Sequence, residues 1–349
     1  MNTVRLLLAA TLLATSVSAA TSRDSLDAYF RAHIADEKIP GMVVGIVDGN
    51  DEWVHAYGLA DVENQTAMKI DSSFRLASIT KTMTAIAILQ LVERGKIDLD
   101  AEVQTYVPYF PRKKWPVTVR QLLGHLAGIP HYVNRATEQH IKEHKSTRES
   151  VEIFENFDLV AEPGTKWSYS SYGYNLLGAV IEQASGQSYG DYMRANIFAP
   201  LGMTSTRLDD PIALIPNRVR GYQLIDGQLA NSEFIDVSSR FAAGGLRTTV
   251  PDLLRLARGM MSGKLITPEH FELLSTSMQT RDGKLTGYGM GVFIHPAPGL
   301  SDTGGRFAIS NNGGQQETRT FLMMFPKRGV AFATAMNAEI NTGAGEVMR

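Results

Sequence analysis

The sequence predicts an α/β protein: an antiparallel sheet built from both chain ends and flanked by helices, with a helix-rich lobe inserted between its strands. Three observations predict it. Residues 42–61, MVVGIVDGNDEWVHAYGLAD, read as two strands around the turn Asp48-Gly49-Asn50-Asp51. From about residue 76 to about residue 275 the pattern is mainly helical, broken by turn clusters such as AGIPHY, AEPGT and LDDPIALIPN. Strand character then returns in GYGMGVFIHP, GGRFAISNNGG and TRTFLMMFPKRGVAFATAMN, the last with a turn at Pro326-Lys327-Arg328-Gly329. The expected organisation is a signal at 1–19 and one domain at 20–349. Its α/β lobe takes 20–75 and 285–349, and its helical lobe 76–284.

Taken in order, MNTVRLLLAATLLATSVSAA carries Arg5, an apolar run and the small residues Val17-Ser18-Ala19, the pattern of an export signal cut after Ala19. Its apolar run is shorter than the roughly 20 residues of a membrane helix, so no anchor is expected, and the mature protein is expected in the periplasm or outside the cell. Next, SRDSLDAYFRAHIADEKIPG places Leu26, Tyr29, Phe30 and Ile34 on one helix face and stops at Pro40-Gly41. The segment FRLASITKTMTAIAILQLVERGKIDLD is apolar nearly all round, which predicts a fully buried helix.

The 349 residues carry a net charge of −2 with 44% hydrophobic and 20% charged side chains, a globular composition that points to no nucleic-acid or polybasic membrane partner. With no cysteine there is no disulfide, thiol nucleophile, lipidated cysteine or cysteine zinc site.

Three short motifs compete for chemistry. GQSYG, residues 186–190, fits the Gly-x-Ser-x-Gly elbow, but that elbow needs a strand leading into it. Here Leu176, Leu177, Val180, Ile181 and Ala184 recur at helical spacing, so Gly186 reads as a helix C-cap and Ser188 as no nucleophile. HIKEH, His140 to His144, fits a zinc-peptidase pattern, yet its charged flanks favour a solvated segment and no metal site.

SITK puts Ser78 and Lys81 one turn apart at the start of the buried helix. The Ser78 N–H there points out of the first turn, toward developing negative charge, while burial and the helix field push Lys81 toward its neutral, basic form. The competing reading is a plain cap at Ser78 with Lys81 reaching for water.

Two further stretches accompany the pair: PGTKWSYSSYGYNLLGAVIEQASG, with Tyr169 ahead of a helix, and SNNGG, residues 310–314. In this order and spacing the chain resembles the serine β-lactamase and penicillin-binding-protein family, most of all class C β-lactamases, D-alanyl-D-alanine carboxypeptidases and related esterases. The resemblance covers about residues 24 to 337 and includes LLGHLAGIP, PLGM and AAGGLRTTVPDLLRLA.

It implies Ser78 as nucleophile, Lys81 as its base, and Tyr169 as phenolate or proton relay, with the N–H groups of Ser78 and Gly314 as oxyanion donors. Ser171, Asn311, Asn312 and Gly313 fall at substrate-facing motif positions. No cofactor is implied, and the partner would be a small-molecule or peptidoglycan-derived substrate: a β-lactam, a D-alanyl peptide or an ester.

Two positions depart from the family. Ser171 stands for an asparagine, and Asn311 for a lysine or histidine, which shifts the expectation from carboxylate-bearing substrates toward esters and uncharged amides. Arg319 and Arg306 are candidate substitute cations. After Asn337 the sequence given reads AEINTGAGEVMR where the family usually packs a longer C-terminal helix, so the expectation is either a less covered sheet face or an incomplete segment. His125 is expected to be a hydrogen-bonded framework residue. The rival reading is a non-catalytic cell-envelope binding protein that retains the fold.

Overall fold

The computed structural model describes residues 19–138, 140–296 and 307–340. The expected export signal up to Ser18, Arg306 and the residues after Ile340 lie outside the described residues. Strands β1 (Gly41–Asp48) and β2 (Asp51–Asp61) form the N-terminal hairpin, and β3 (Thr66–Ala67) continues it. From the other end of the chain come β9 (Phe293–His295), β10 (Ala308–Gln315), β11 (Thr318–Phe325) and β12 (Val330–Met336). The seven-stranded order is β3-β2-β1-β12-β11-β10-β9, with every pair antiparallel.

Strand β1, GMVVGIVD, does not alternate apolar and polar residues, because both of its faces are covered. Met42 and Val44 join the cluster under helix α1 (Ala19–Asp36), whose Phe30 is buried there with Leu26, Tyr29 and Ile34 packed alongside. Val43 and Val47 face the main core. Between them Gly45 lets helix α5 (Val250–Met261) approach, since a Cβ at this position would lie 2.7 Å from Val250 Cγ1 and 2.9 Å from Leu254 Cδ1.

Helix α2 (Thr80–Glu93) is buried from Thr80 through Leu91. Its polar side chains therefore need internal partners. Thr84 donates to the Ala242 carbonyl at 2.7 Å, Thr82 to Gly291 at 2.7 Å, and Gln90 to Leu265 at 2.9 Å. Helix α3 (Ser171–Ser185) and the short α4 (Phe241–Gly244) pack beside it, which makes α2 the axis of the helical lobe.

The inserted lobe is less purely helical than its periodicity suggests. It contains β5 (Arg207–Leu208) and β8 (Leu246–Thr248), which form a three-stranded sheet with β4 (Phe74–Arg75) just ahead of the lobe, and a hairpin of β6 (Tyr222–Ile225) and β7 (Gln228–Asn231). The hairpin turns on Asp226 and Gly227 at φ 51° and 75°, the Asp-Gly geometry that suits a two-residue turn.

Candidate active site

Ser78 lies in a single 3₁₀ turn, Ala77–Ile79, that runs directly into α2. Ala77 before it has φ 50°, a left-handed conformation costing an alanine about 1–2 kcal/mol. Surrounding backbone holds it there. A Cβ on Gly313 would lie 2.3 Å from the Leu76 carbonyl oxygen and 3.0 Å from the Ala77 Cβ, so only glycine lets β10 come this close. Thr320 on β11 donates to the same Leu76 carbonyl at 2.8 Å.

Two groups converge on the Ser78 hydroxyl. Lys81 Nζ donates to Oγ at 3.1 Å, and the Tyr169 hydroxyl donates to Oγ at 2.8 Å. Lys81 is 1% exposed, donates also to the Ala243 carbonyl at 2.7 Å, and lies 4.9 Å from the Tyr169 ring centre. Burial, assisted by the field of Arg240, holds its pKa well below the usual lysine range, so the neutral amine is favoured. Burial pushes the Tyr169 phenol up, against the pull of its bond to Ser78. The favoured form is a neutral phenol, which suits a relay rather than a standing phenolate.

Tyr169 is set by the start of α3. Ser170 caps that helix by accepting from the Gly173 N–H at 2.9 Å, and its hydroxyl donates to the Pro130 carbonyl at 2.8 Å. The Ser170 N–H donates to His125 Nδ1 at 3.1 Å, and the His125 ring lies 4.4 Å from that of Tyr169. Burial above all keeps His125 well below the usual histidine range, so the imidazole is neutral with its proton on Nε2. His125 thus has the framework position expected of it. His131, unforeseen from sequence, accepts from the Ser171 N–H at 3.2 Å and meets the Tyr169 ring edge-on. The Ser171 hydroxyl is a further partner of the Tyr169 phenol.

On the opposite wall, Asn311 is buried with its amide taken up internally, at 2.8 Å from the Gly291 carbonyl, 3.0 Å from Thr82 Oγ1 and 3.4 Å from the Ser78 carbonyl. Its Oδ1 accepts the Asn312 N–H at 2.8 Å. The expectation that Asn311 faces substrate is therefore corrected: its side chain lies beneath the nucleophile turn, and its neutrality does not by itself decide substrate charge. The Asn312 N–H leaves β10 on the side away from β11, and the N–H of Gly314, two residues on, leaves on the same side. That edge is free because β9 pairs with β10 only at Ala308, Ile309 and Ser310. Asn312 is half-buried and Gly314 exposed.

Arg319 spends its guanidinium on the carbonyls of Gln315, Thr318 and Glu339.

The other two motifs fall away from this cluster. Gly186 ends α3 at φ 71°, and Ser188 caps the helix Tyr189–Met193. His140 and His144 are not on a helix; His140 and Lys142 meet Glu233, while His144 faces Asp236. The Ala243 carbonyl, which fixes Lys81, carries no sequence signal, because any residue supplies a carbonyl.

A hydroxyl flanked by a neutral amine and a phenol, with strand N–H groups opposite, is equipped for acyl transfer. The beta-lactamase family profile matches residues 26–348. The chain belongs to the beta-lactamase family. It is 35% identical over 295 residues to the human mitochondrial serine beta-lactamase-like protein LACTB, covering 64% of this chain and 54% of LACTB. The match thus spans about half the length of that relative. A penicillin-binding protein of Bacillus subtilis is 27% identical over 320 residues, covering 87% of this chain and 69% of its own length. Among solved structures, an octameric penicillin-binding protein homologue from Pyrococcus abyssi superposes with a TM-score of 0.77 at 25% identity, covering 93% of this chain and 77% of the other.

Proposed function

We propose that the protein is an exported serine hydrolase that works through an acyl-enzyme on amide or ester substrates. The observation that carries this is the convergence of Lys81 Nζ and the Tyr169 hydroxyl on one oxygen, Ser78 Oγ. Ser78 Oγ attacks the substrate carbonyl carbon and its proton passes to neutral Lys81. The Ser78 and Gly314 N–H groups receive the oxyanion. Tyr169 protonates the leaving amine or alcohol and regains a proton from Lys81. Water then attacks the acyl-enzyme, and the carboxylic acid departs with Ser78 restored.

The non-catalytic alternative fits this site poorly. A buried lysine with only a hydroxyl and a carbonyl for partners costs stability, a cost without purpose in a protein that only binds. The export part of the proposal rests on the first nineteen residues, and N-terminal sequencing of protein from the producing cell tests it.

The deciding experiment is the intact mass after exposure to a fluorophosphonate, which places phosphorus on Oγ and releases fluoride. An adduct is expected on the wild type and none on Ser78→Ala. A well-folded wild type without an adduct would leave the binding-protein reading standing.

A further inference from the structure

Helix α4 ends beside the reacting atoms, and a helix leaves its last carbonyls without partners of its own. Here four consecutive carbonyls are each met by a separate donor. Ala242 accepts from Thr84 Oγ1 at 2.7 Å and Ala243 from Lys81 Nζ at 2.7 Å, both on α2. Gly245 accepts from the Asp209 N–H at 2.8 Å. Gly244, between them, accepts from Gln315 Nε2 at 3.0 Å, and of the four donors Gln315 alone comes from the seven-stranded sheet.

Gln315 closes β10, one residue after Gly314, the proposed oxyanion donor. Its backbone is anchored: it pairs with Thr318 across the turn, and its carbonyl accepts from Arg319 Nη1 at 3.3 Å. Glu317, in the same turn at φ 78°, is held by Arg247 and Arg75. The half-buried Gln315 side chain is therefore a strut between a fixed strand end and α4. The nucleophile turn touches both ends of this span. A Cβ on Gly244 would lie 3.5 Å from the Ala77 carbonyl carbon, and Gly313 of β10 seats against the same Ala77.

We propose that Gln315 is a positioning residue for acyl transfer: by holding α4 to β10 it fixes the spacing between Lys81 and the oxyanion donors. The proposal deepens the serine-hydrolase reading and rests on it. Lys81 hangs from the Ala243 carbonyl and the Gly314 N–H from β10, so a bond to the next carbonyl couples the two halves of the centre. An amide suits this task, because it donates to a carbonyl at every pH and sets no charge beside Lys81. In such an arrangement a displacement of about 1 Å can cost about a hundredfold in rate.

The test follows fluorophosphonate labelling of Ser78 and hydrolysis of p-nitrophenyl butyrate in Gln315→Met and Gln315→Glu. Gln315→Met keeps the length and loses the donor. Its labelling rate and kcat are expected to fall about tenfold or more, with KM within about twofold of wild type and the same ratio to wild type across pH.

Gln315→Glu adds a signature that lost packing does not give. At about pH 8 its carboxylate has no proton for the Gly244 carbonyl, and labelling should run about tenfold below wild type or lower. A half-buried carboxyl facing a carbonyl takes up its proton above the ordinary value of about 4.3, so toward about pH 5 it becomes a donor again and the ratio to wild type should climb. Around position 315 the charged groups are Arg319 on β11, Glu317 with its two arginines in the turn, and Lys81 beyond α4. All are present in both proteins of each comparison.

Labelling within twofold of wild type in well-folded Gln315→Met would overturn the assignment and leave the hydrolase intact. A Gln315→Glu ratio that stays flat with pH would do the same. Absence of labelling in the wild type would instead overturn the hydrolase reading beneath it. Should Gln315→Met fail to fold, the Gln315→Glu course decides: a rise toward acid supports the strut, and a flat ratio refutes it.

Discussion

Two cations in this protein are each 1% exposed, Lys81 and Arg247, and they have opposite fates. Arg247 is met by Asp209 at 2.7 Å and Glu317 at 2.9 Å, and Arg75 shares both carboxylates. Burial alone would weaken its charge, but the two anions win and its pKa is raised. Lys81 has a hydroxyl and a carbonyl instead, so burial wins and the amine is driven neutral. Burial does not decide whether a cation is a structural anchor or a base; the presence of a carboxylate in the same pocket does.

The sharpest way to break the contrast is to remove the proposed base. Lys81→Met should cut the rate of fluorophosphonate labelling by about 10²–10⁴-fold, the usual range for a general base, while thermal melting stays near wild type or rises. A rate within threefold of wild type would take Lys81 out of the mechanism. Removing the anchor should do the reverse to stability. Arg247→Met leaves Asp209 and Glu317 to Arg75 and should cost about 3 kcal/mol in denaturant unfolding, the lower end of the range for a broken buried pair.

The pH dependence sharpens the comparison further. Burial raises the Asp209 carboxyl, but Arg247 and Arg75 outweigh it and bring the pKa to about 2, from 3.8. A depressed carboxylate adds stability above its unfolded pKa and loses it as pH falls through the folded one. About 2 kcal/mol should therefore vanish between about pH 4 and pH 2, and Asp209→Asn should flatten that limb of the stability curve. For Lys81 the unfolded chain holds the proton more tightly, so its contribution rises with pH up to about 10.5, and Lys81→Met should abolish that slope.

The smallest effect concerns the scaffold between the two cations. Thr320→Val removes the bond to the Leu76 carbonyl and should cost about 1 kcal/mol, read by the denaturation midpoint.

Local signals in the sequence carried much of this. The turns at Asp48 to Asp51 and Pro326 to Gly329 lie where Gly and Asp placed them, and Gly186 closes its helix, because each depends only on neighbours in the chain. The unbroken apolar run of α2 forecast a buried helix and hence a buried Lys81. What escaped was non-local. The β6–β7 hairpin carries an Asp-Gly turn signal that the surrounding helical periodicity outweighed. Asp209 reaches Arg75 across 134 positions, and Asn311 reaches the Ser78 carbonyl across 233. No spacing rule shows that an asparagine will turn away from the cleft.

The pairing of β1 with β12 has a consequence for biosynthesis. Helix α2 leaves the ribosome early, whereas β10, with Gly314 and the glycine that seats against Ala77, is made more than two hundred residues later. Until then the exposed flank of β1 lacks its neighbour, and the Ser78 turn has nothing to hold it in its left-handed entry. A nascent chain is thus assembled without the arrangement around Ser78, and the proposed hydrolytic centre is complete only when the last strands close the sheet.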